Sequence, residues 1–324
     1  MGCKMKKILV TGAGGFIGSH LVKELKKQNN YVIGVDIKKS EFGKTKADEF
    51  YLNDLRFESA TLGVLMCQVD EVYALAADMG GMGYISFNDA QILRNNLLIN
   101  LNTIHTATKR VKKYLFSSSA CVYPQFLQKE TLVEPLKETD AYPADPQDAY
   151  GWEKLLTEKL CEYYKNDCKL DVRVARFHNV YGPEGTYDGG REKAPAALCR
   201  KIALAKDGGK IEIWGDGKQT RSFCYISDCV RALITLMNSK VQYPINIGRE
   251  ELISITGMAD LICEIADKKL KYKYIKGPQG VRGRNSDNEL FKRNFKWEPE
   301  IKLKSGLRKT YKWIVRELIR NGRI

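Results

Sequence analysis

The chain has 324 residues, of which 44% are hydrophobic and 28% charged, with a formal net charge of +14 and nine cysteines. That length suits one large α/β domain plus a smaller lobe, and no apolar run reaches the ~18 residues that a membrane helix needs. The cysteines form no C-x-x-C pair, which argues against a disulfide framework and a zinc site, and so against any metal. The basic charge comes without a zinc-finger pattern, an RNP-like aromatic motif or a concentrated basic tract. It therefore reads as a solvated lysine-rich surface or an anionic small-molecule ligand, with no nucleic acid and no membrane partner. The opening MGCKMKKILVTG has no signal-type apolar stretch with a cleavage site, and Lys6 stands where acylation of Gly2 would want Ser or Thr. A cytoplasmic location is expected.

KKILVTG reads as a strand ending in glycine, GFIGSHLVKELKKQ as a helix by its apolar spacing, and YVIGVDI as a second strand. Together they make one β-α-β unit. EVYALAA then reads as a strand, LLINLNTIHTATKR as a helix, KYLFSSS as a strand, QDAYGWEKLLTEKLCEYYKN as a long helix and DVRVARF as a strand. Strands alternating with helices imply a doubly wound parallel sheet of Rossmann type, covered on both faces. After residue 180 the punctuation becomes denser. GREKAPAALCRKIALAK reads as a helix after its proline, IEIWGDGKQTRSF as a strand and turn, and EELISITGMADLICEIA as a helix. The expected division is a cofactor domain over 1–180 and a smaller α/β substrate lobe over 181–324, with elements near 220–250 returning to the first domain.

TGAGGFIG places Gly12, Gly15 and Gly18 three apart, between a strand and a helix, with Phe16 and Ile17 among them. Glycines there allow a tight turn and close approach to a pyrophosphate, which sits on the helix N-terminus. Asp36 ends the second strand, where a carboxylate accepts from adenosine ribose hydroxyls and repels a 2′-phosphate. NAD is therefore expected rather than NADP, although Lys38 and Lys39 lie close by.

The G-x-x-G-x-x-G spacing resembles the extended short-chain dehydrogenase/reductases. That resemblance sets Asp54 of YLNDL beside the adenine ring and Ala76 of LAAD on the cofactor-lining strand end. YGWEK supplies Tyr150 and Lys154 four apart on one helix face. A phenol is a poor base at neutral pH. A neighbouring ammonium is expected to lower its pKa, so that Tyr150 takes a proton from a sugar hydroxyl as hydride leaves to NAD. Lys154 also reaches the nicotinamide ribose. Ser119 of FSSSACVYP completes the set by orienting the hydroxyl or ketone.

AADMGGMGYI, SSACVYP, PADPQDAYGWEKL, RFHNVYGPEGTYDGGREKAPAALCRK, WGDGKQTRSF and GPQGVRGRNSDN resemble the GDP-mannose 3,5-epimerase family and together cover nearly the whole chain. The resemblance implies that NAD, tightly bound and recycled, oxidises C4 of a GDP-sugar. Protons at C5 and C3 are then exchanged and the ketone is reduced again. It implies that Cys121 and Lys193 are the two acid/base groups on opposite ring faces, with Arg191 suited to depress the Lys193 pKa. On an extended chain, Cys121 would fall on the same side as Ser119. Gly80, Gly81 and Met82 are implied to shape a loop near the sugar. Ala120, Asn179, Glu192, Lys201, Gln219 and Arg282 are implied substrate contacts, Arg282 as a pyrophosphate clamp, with Arg221 and Arg284 as further candidates. His178 reads as site architecture. Helices at 90–109 and 147–165, with Tyr163, Tyr164 and leucines 155, 156 and 160, are implied to pair into a homodimer.

GDP-mannose and a GDP-manno-heptose both fit this reading. A 4-epimerase or 4-oxidase would keep Ser119, Tyr150 and Lys154 without needing Cys121 or Lys193. A non-catalytic NAD-bound regulatory protein would need none of the four.

Overall fold

A computed structural model describes residues 5–324, so the reading of the first three residues lies outside the described residues. The chain runs β1 (Lys7–Thr11), α1 (Phe16–Lys27), β2 (Tyr31–Asp36), β3 (Glu49–Leu52), α2 (Ala60–Met66), β4 (Glu71–Ala74), the single turn α3 (Met82–Ile85), α4 (Asp89–Ala107) and β5 (Lys113–Ser119). Next come α5 (Ala149–Cys168), β6 (Val172–Phe177), β7 (Val180–Tyr181), α6 (Ala194–Leu204), β8 (Lys210–Trp214), β9 (Thr220–Ser222) and β10 (Cys224–Tyr225). Then follow α7 (Ile226–Asn238), β11 (Pro244–Ile247), β12 (Leu252–Ser254), α8 (Ile255–Ala266), β13 (Lys271–Ile275), β14 (Gly283–Arg284), α9 (Glu289–Phe295) and α10 (Leu303–Arg320).

The main sheet has seven strands in the order β11-β6-β5-β4-β1-β2-β3, every pair parallel. β1 and β2 are largely buried apolar runs because helices cover both faces of the sheet. The alternation in β1 assigns them: Ile8 and Val10 pack with Leu21, Val22 and Leu25 of α1 and with α7, whereas Leu9 packs with Leu62 of α2, Ile104 of α4 and Cys161 of α5. The strand order reverses between β1 and β4, and ligands bind at the carboxyl edge of such a switch point.

The remaining strands form small sheets, β12-β9-β14, β13-β8 and β10-β7. Their helices α6, α8 and α10 bury Leu198, Ile202, Ile262 and Ile314 in the same core cluster as Ile8 and Val10. α7 and β11, from the second half of the chain, belong to the main sheet and its covering layer.

Two elements differ from the sequence reading. The stretch expected to be helical from residue 250 first forms β12, antiparallel to β9, and the helix starts only at Ile255 after the Ser254 hydroxyl caps Gly257 N. β-branched Ile253 finds a strand partner in Arg221, which overrides helical periodicity over three residues. α4 begins at Asp89, eight residues before the apolar run at Leu97. That first part is polar because it serves the site described next.

Candidate active site

The carboxyl edge of the sheet opens into a cavity of about 930 Å³. The glycine loop forms its floor. Gly12 has a φ of +71°, and a Cβ there would sit 2.8 Å from the backbone N of Ala76. A Cβ at Gly14 would lie 2.2 Å from Lys38 O, and one at Gly18 2.0 Å from Gly12 O. The loop can thus close tightly only without side chains. α1 begins with no side-chain cap and no acidic residue in its first turn, so its N-terminal N–H groups face the cavity uncompensated. Asp36 accepts from Gly14 N at 2.9 Å and Lys38 N at 3.1 Å, fixing the loop to the end of β2. Asp54 forms a two-pronged pair with Arg56 at the cavity wall, and the guanidinium holds its carboxyl below the usual range. Gly15, Phe16, Ile17 and Ala76 line the same wall. Glycine cradle, open helix terminus and strand-end carboxylate together fit a dinucleotide.

β5 runs three residues past its last pair with β4, so Ser117, Ser118 and Ser119 stand above the sheet edge. Ser117 donates to Ala74 O at 2.9 Å and Ser118 to Glu158, which also pairs with Arg176. Ser119 alone remains for the cavity and for Tyr150. The chain then leaves the extended form: Ala120–Val122 is a 3-10 turn capped by Ser119 Oγ, which accepts from Cys121 N at 3.2 Å. Cys121 faces the cavity because of this turn, not because of strand alternation.

Asp148 caps α5 by accepting from Gly151 N at 2.8 Å, and this sets Tyr150 in the first turn. Burial pushes the Tyr150 phenol well above its ordinary pKa, aided by the charges of Glu153 and Cys121 and opposed by its hydrogen bond with Ser119. This corrects the expectation that Lys154 lowers it. Lys154 is 1% exposed, with Nζ 5.5 Å from the Tyr150 ring centroid and 3.5 Å from Glu153 Oε1. Much of its charge is met by that carboxylate, itself raised by burial against the pull of Lys154.

Cys121 Sγ receives a hydrogen bond from Arg284 Nη1 at 3.3 Å. Lys193 stands at the N-cap of α6 and lines the cavity with Cys121. Burial lowers its pKa, with the charges of Cys121 and Cys229 opposing. Arg191 contributes nothing to that depression. Its guanidinium turns the other way, 3.1 Å from Asp78 Oδ1 and 3.7 Å above the Tyr84 ring.

Of the expected substrate contacts, Gly81, Met82, Ala120, Asn179, Glu192, Lys201 and Gln219 all line the cavity. The Glu192 carboxylate is engaged by Gly190 N of its own loop at 2.7 Å and by Arg200 Nη2 of α6 at 2.8 Å. Asn179 donates to Ser222 O and Lys201 to Glu212 O. Gln219 donates to Trp214 O at 3.0 Å, which leaves its buried Oε1 without a donor.

Arg282 is the exception. It forms a two-pronged surface pair with Asp216 at 2.8 and 2.6 Å and does not line the cavity. Arg284, two residues further on in β14, instead lines the cavity beside its register partner Arg221 of β9. Burial and Arg284 push the Arg221 guanidinium down to about 9, and it donates only to backbone carbonyls. Two inward arginines with no carboxylate partner among the described residues make an anion site. His178 is fully buried, hydrogen-bonded to Asn246 at 3.0 Å and pushed down to about 3 by burial, consistent with architecture and not with a base. Sequence reading missed the Asp78–Arg191–Tyr84 cluster and the Trp214 ring, which packs on Gly83 and Gly277 at the rim.

The parallel sheet, glycine loop and Ser-Tyr-Lys set define a nucleotide-sugar-modifying enzyme of the short-chain dehydrogenase/reductase type. Residues 8–248 match the family described as NAD dependent epimerase/dehydratase, and the chain belongs to that family. It is 50% identical over 315 residues to a GDP-mannose 3,5-epimerase of Arabidopsis thaliana, covering 96% of this chain and 83% of that protein. A UDP-glucuronic acid decarboxylase 6 of the same plant is 32% identical over 93% of this chain and 86% of its own. Among solved structures, the UDP-glucuronic acid 4-epimerase of Bacillus cereus, in complex with UDP-glucuronic acid and NAD, superposes with a TM-score of 0.82 at 27% identity. It covers 96% of this chain and 99% of that one.

Proposed function

We propose that this chain is an NAD-containing 3,5-epimerase of a GDP-manno-configured sugar, GDP-mannose or a GDP-manno-heptose. The observation that carries the reading is the placement of Cys121 and Lys193 in one cavity with Ser119, Tyr150 and Lys154. A 4-epimerase has no use for the first two. The 50% identity to a GDP-mannose 3,5-epimerase supports the same choice.

When bound, NAD would supply the hydride acceptor for C4 and the hydride donor that reduces the ketone again. Everything else falls to the chain. Tyr150 receives the C4 hydroxyl proton, Ser119 fixes that oxygen, and Lys154 reaches the cofactor ribose. Tyr150 starts from a raised pKa, so its phenolate needs added positive charge, which the nicotinamide ring of bound NAD would supply. With C4 a ketone, the C5 and C3 protons become acidic. Cys121 and Lys193 exchange them from opposite faces, one removing a proton as the other delivers one. Burial lowers the pKa of Lys193, which eases release of its proton. Arg221 and Arg284 hold the pyrophosphate.

The reading extends to a cofactor domain over 1–180 and a substrate lobe over 181–324, to a cytoplasmic location, and to a homodimer. Among the described residues no helix is long and apolar enough to cross a membrane. Leu101 of α4 and Trp152, Leu156 and Tyr163 of α5 are exposed apolar groups that suit the dimer contact, whereas Leu155 is buried in the protomer.

The test is incubation with GDP-mannose in deuterated water. Deuterium at C3 and C5 of recovered sugar is expected, and wash-in at neither carbon with GDP-mannose or a GDP-manno-heptose would overturn the reading.

A further inference from the structure

Lys193 is held over the site by a contact between two glycine-rich loops, and the contact is organised by one side chain. The first loop runs from Asp78 to Tyr84. Asp78 is clamped to α4: its backbone N donates to Asn96 Oδ1 at 2.6 Å, its carbonyl accepts from Asn96 Nδ2 at 3.0 Å, and its Oδ2 accepts from Asn95 Nδ2 at 2.9 Å. Its Oδ1 accepts from Tyr84 Oη at 2.9 Å. The second loop runs from Asp188 to Lys193. Gly189 and Gly190 both have a φ of +88°, with open space where a Cβ would stand. Left to itself, such a pair of residues fixes no direction for the chain that follows.

Arg191 supplies the direction. Its guanidinium donates to Asp78 Oδ1 at 3.1 Å and stacks 3.7 Å above the Tyr84 ring centroid. Its carbonyl accepts from Gly81 N at 2.9 Å. The loops approach so closely that a Cβ on Gly81 would be 2.3 Å from Glu192 O. On the far side the Glu192–Arg200 pair ties the loop to α6. Lys193 sits between these two anchors.

We propose that Arg191 is a positioning residue: with Asp78 and Tyr84 it forms a latch that sets Lys193 against the sugar ring. This rests on Lys193 being one of the two acid/base groups. Ser119, Tyr150 and Lys154 are carried by β5 and α5, outside the latch. Oxidation at C4 therefore does not need the latch, while proton exchange through Lys193 does. A displacement near 1 Å at a reacting group costs about a hundredfold in rate.

The experiment compares the holoenzyme with Arg191→Ala, Arg191→Lys and Tyr84→Leu, using GDP-mannose in deuterated water. Arg191→Ala is expected to keep the rate of transient NADH absorbance and to lower deuterium wash-in by about a hundredfold. Arg191→Lys keeps a charge for Asp78 without the planar stack and is expected to fall between the two, as is Tyr84→Leu. Wild-type wash-in accompanied by equal wash-in from Arg191→Ala would overturn the latch and leave the proposed function standing. Loss of NADH formation and wash-in in equal measure would overturn it as well, since that is the signature of a merely structural residue. Absence of wash-in from the wild type would instead count against the proposed function itself.

Discussion

Arg284 Nη1 lies 3.3 Å from Cys121 Sγ, and the same guanidinium donates to Gln128 Oε1. A buried cation that shares its donors between an amide oxygen and a sulfur ties the thiol to the anion end of the cavity. Arg284→Met removes a hydrogen bond involving a charged group, worth about 1.5–3 kcal/mol. Deuterium wash-in is expected to fall about 10- to 100-fold. Arg284→Lys restores the charge but not the two-pronged geometry, so it recovers only part of the rate. Wash-in at the wild-type rate in both variants would show that Cys121 works without this partner.

Cysteine accessibility gives an independent check on Cys121. Cys67 is exposed, Cys121 and Cys168 are half-buried, and the other described cysteines are buried. Iodoacetamide is expected to inactivate the enzyme, and GDP-mannose to protect it, with mass spectrometry locating the protected adduct on Cys121. A Cys67→Ser, Cys168→Ser background should be inactivated at the same rate. Loss of sensitivity in that background would assign the effect to the surface.

In the proposed mechanism Tyr150 takes the C4 hydroxyl proton, so Tyr150→Phe is expected to suppress both transient NADH and wash-in by about 10²–10⁴-fold. Cys121→Ala is expected to abolish wash-in while NADH still forms. Identical behaviour of the two variants would mean that oxidation and proton exchange are not separate steps.

The parts of the site that sequence displays well are those built from local backbone chemistry. Gly12 and Gly18 announce a close approach because a Cβ at either would collide with backbone, and the run of β5 ending in serines announces a sheet edge. What sequence hides is direction. Arg282 and Arg284 look equivalent in GVRGRNS, yet one pairs with Asp216 at the surface while the other meets Gln128 and Cys121 at the cavity. Strand alternation alone would set Cys121 on the side of Ser119, yet a 3-10 turn is what carries it. Arg191 sits two residues from Lys193, but its side chain answers to Asp78, 113 residues away in sequence. Likewise, the Lys154 charge is met by its own neighbour Glu153, so the Tyr150 shift follows burial.

The inward and outward arginines should therefore separate in kinetics. Arg221→Ala removes a cation from the cavity and is expected to raise KM for the GDP-sugar about 10- to 100-fold, the worth of a charge-assisted contact. Arg282→Ala breaks an exposed pair with Asp216, and exposed pairs contribute about 0–1 kcal/mol. Its KM is expected to change less than about fivefold. The reverse order, measured by initial rates over a range of substrate, would restore Arg282 as the pyrophosphate clamp.

Lys193 makes a prediction about stability rather than rate. Burial disfavours its ammonium, with Cys121 and Cys229 opposing, so its pKa in the fold lies below that of the unfolded chain. At a pH below both values, folding carries the cost of burying the charge. As pH rises through the folded value, the native lysine releases its proton while the unfolded one, near 10.4, still holds it. The unfolded state then binds more protons, and stability rises with pH until the unfolded value is reached. Lys193→Met has no charge to bury and keeps the aliphatic stem. It is expected to be more stable than the wild type at pH 7, with an advantage that shrinks as pH climbs toward 10. Urea unfolding of the two proteins across that range measures the difference directly. An advantage that stays constant with pH would mean that packing, not charge, sets it. A destabilised variant would mean that the lysine is held by contacts that outweigh its burial.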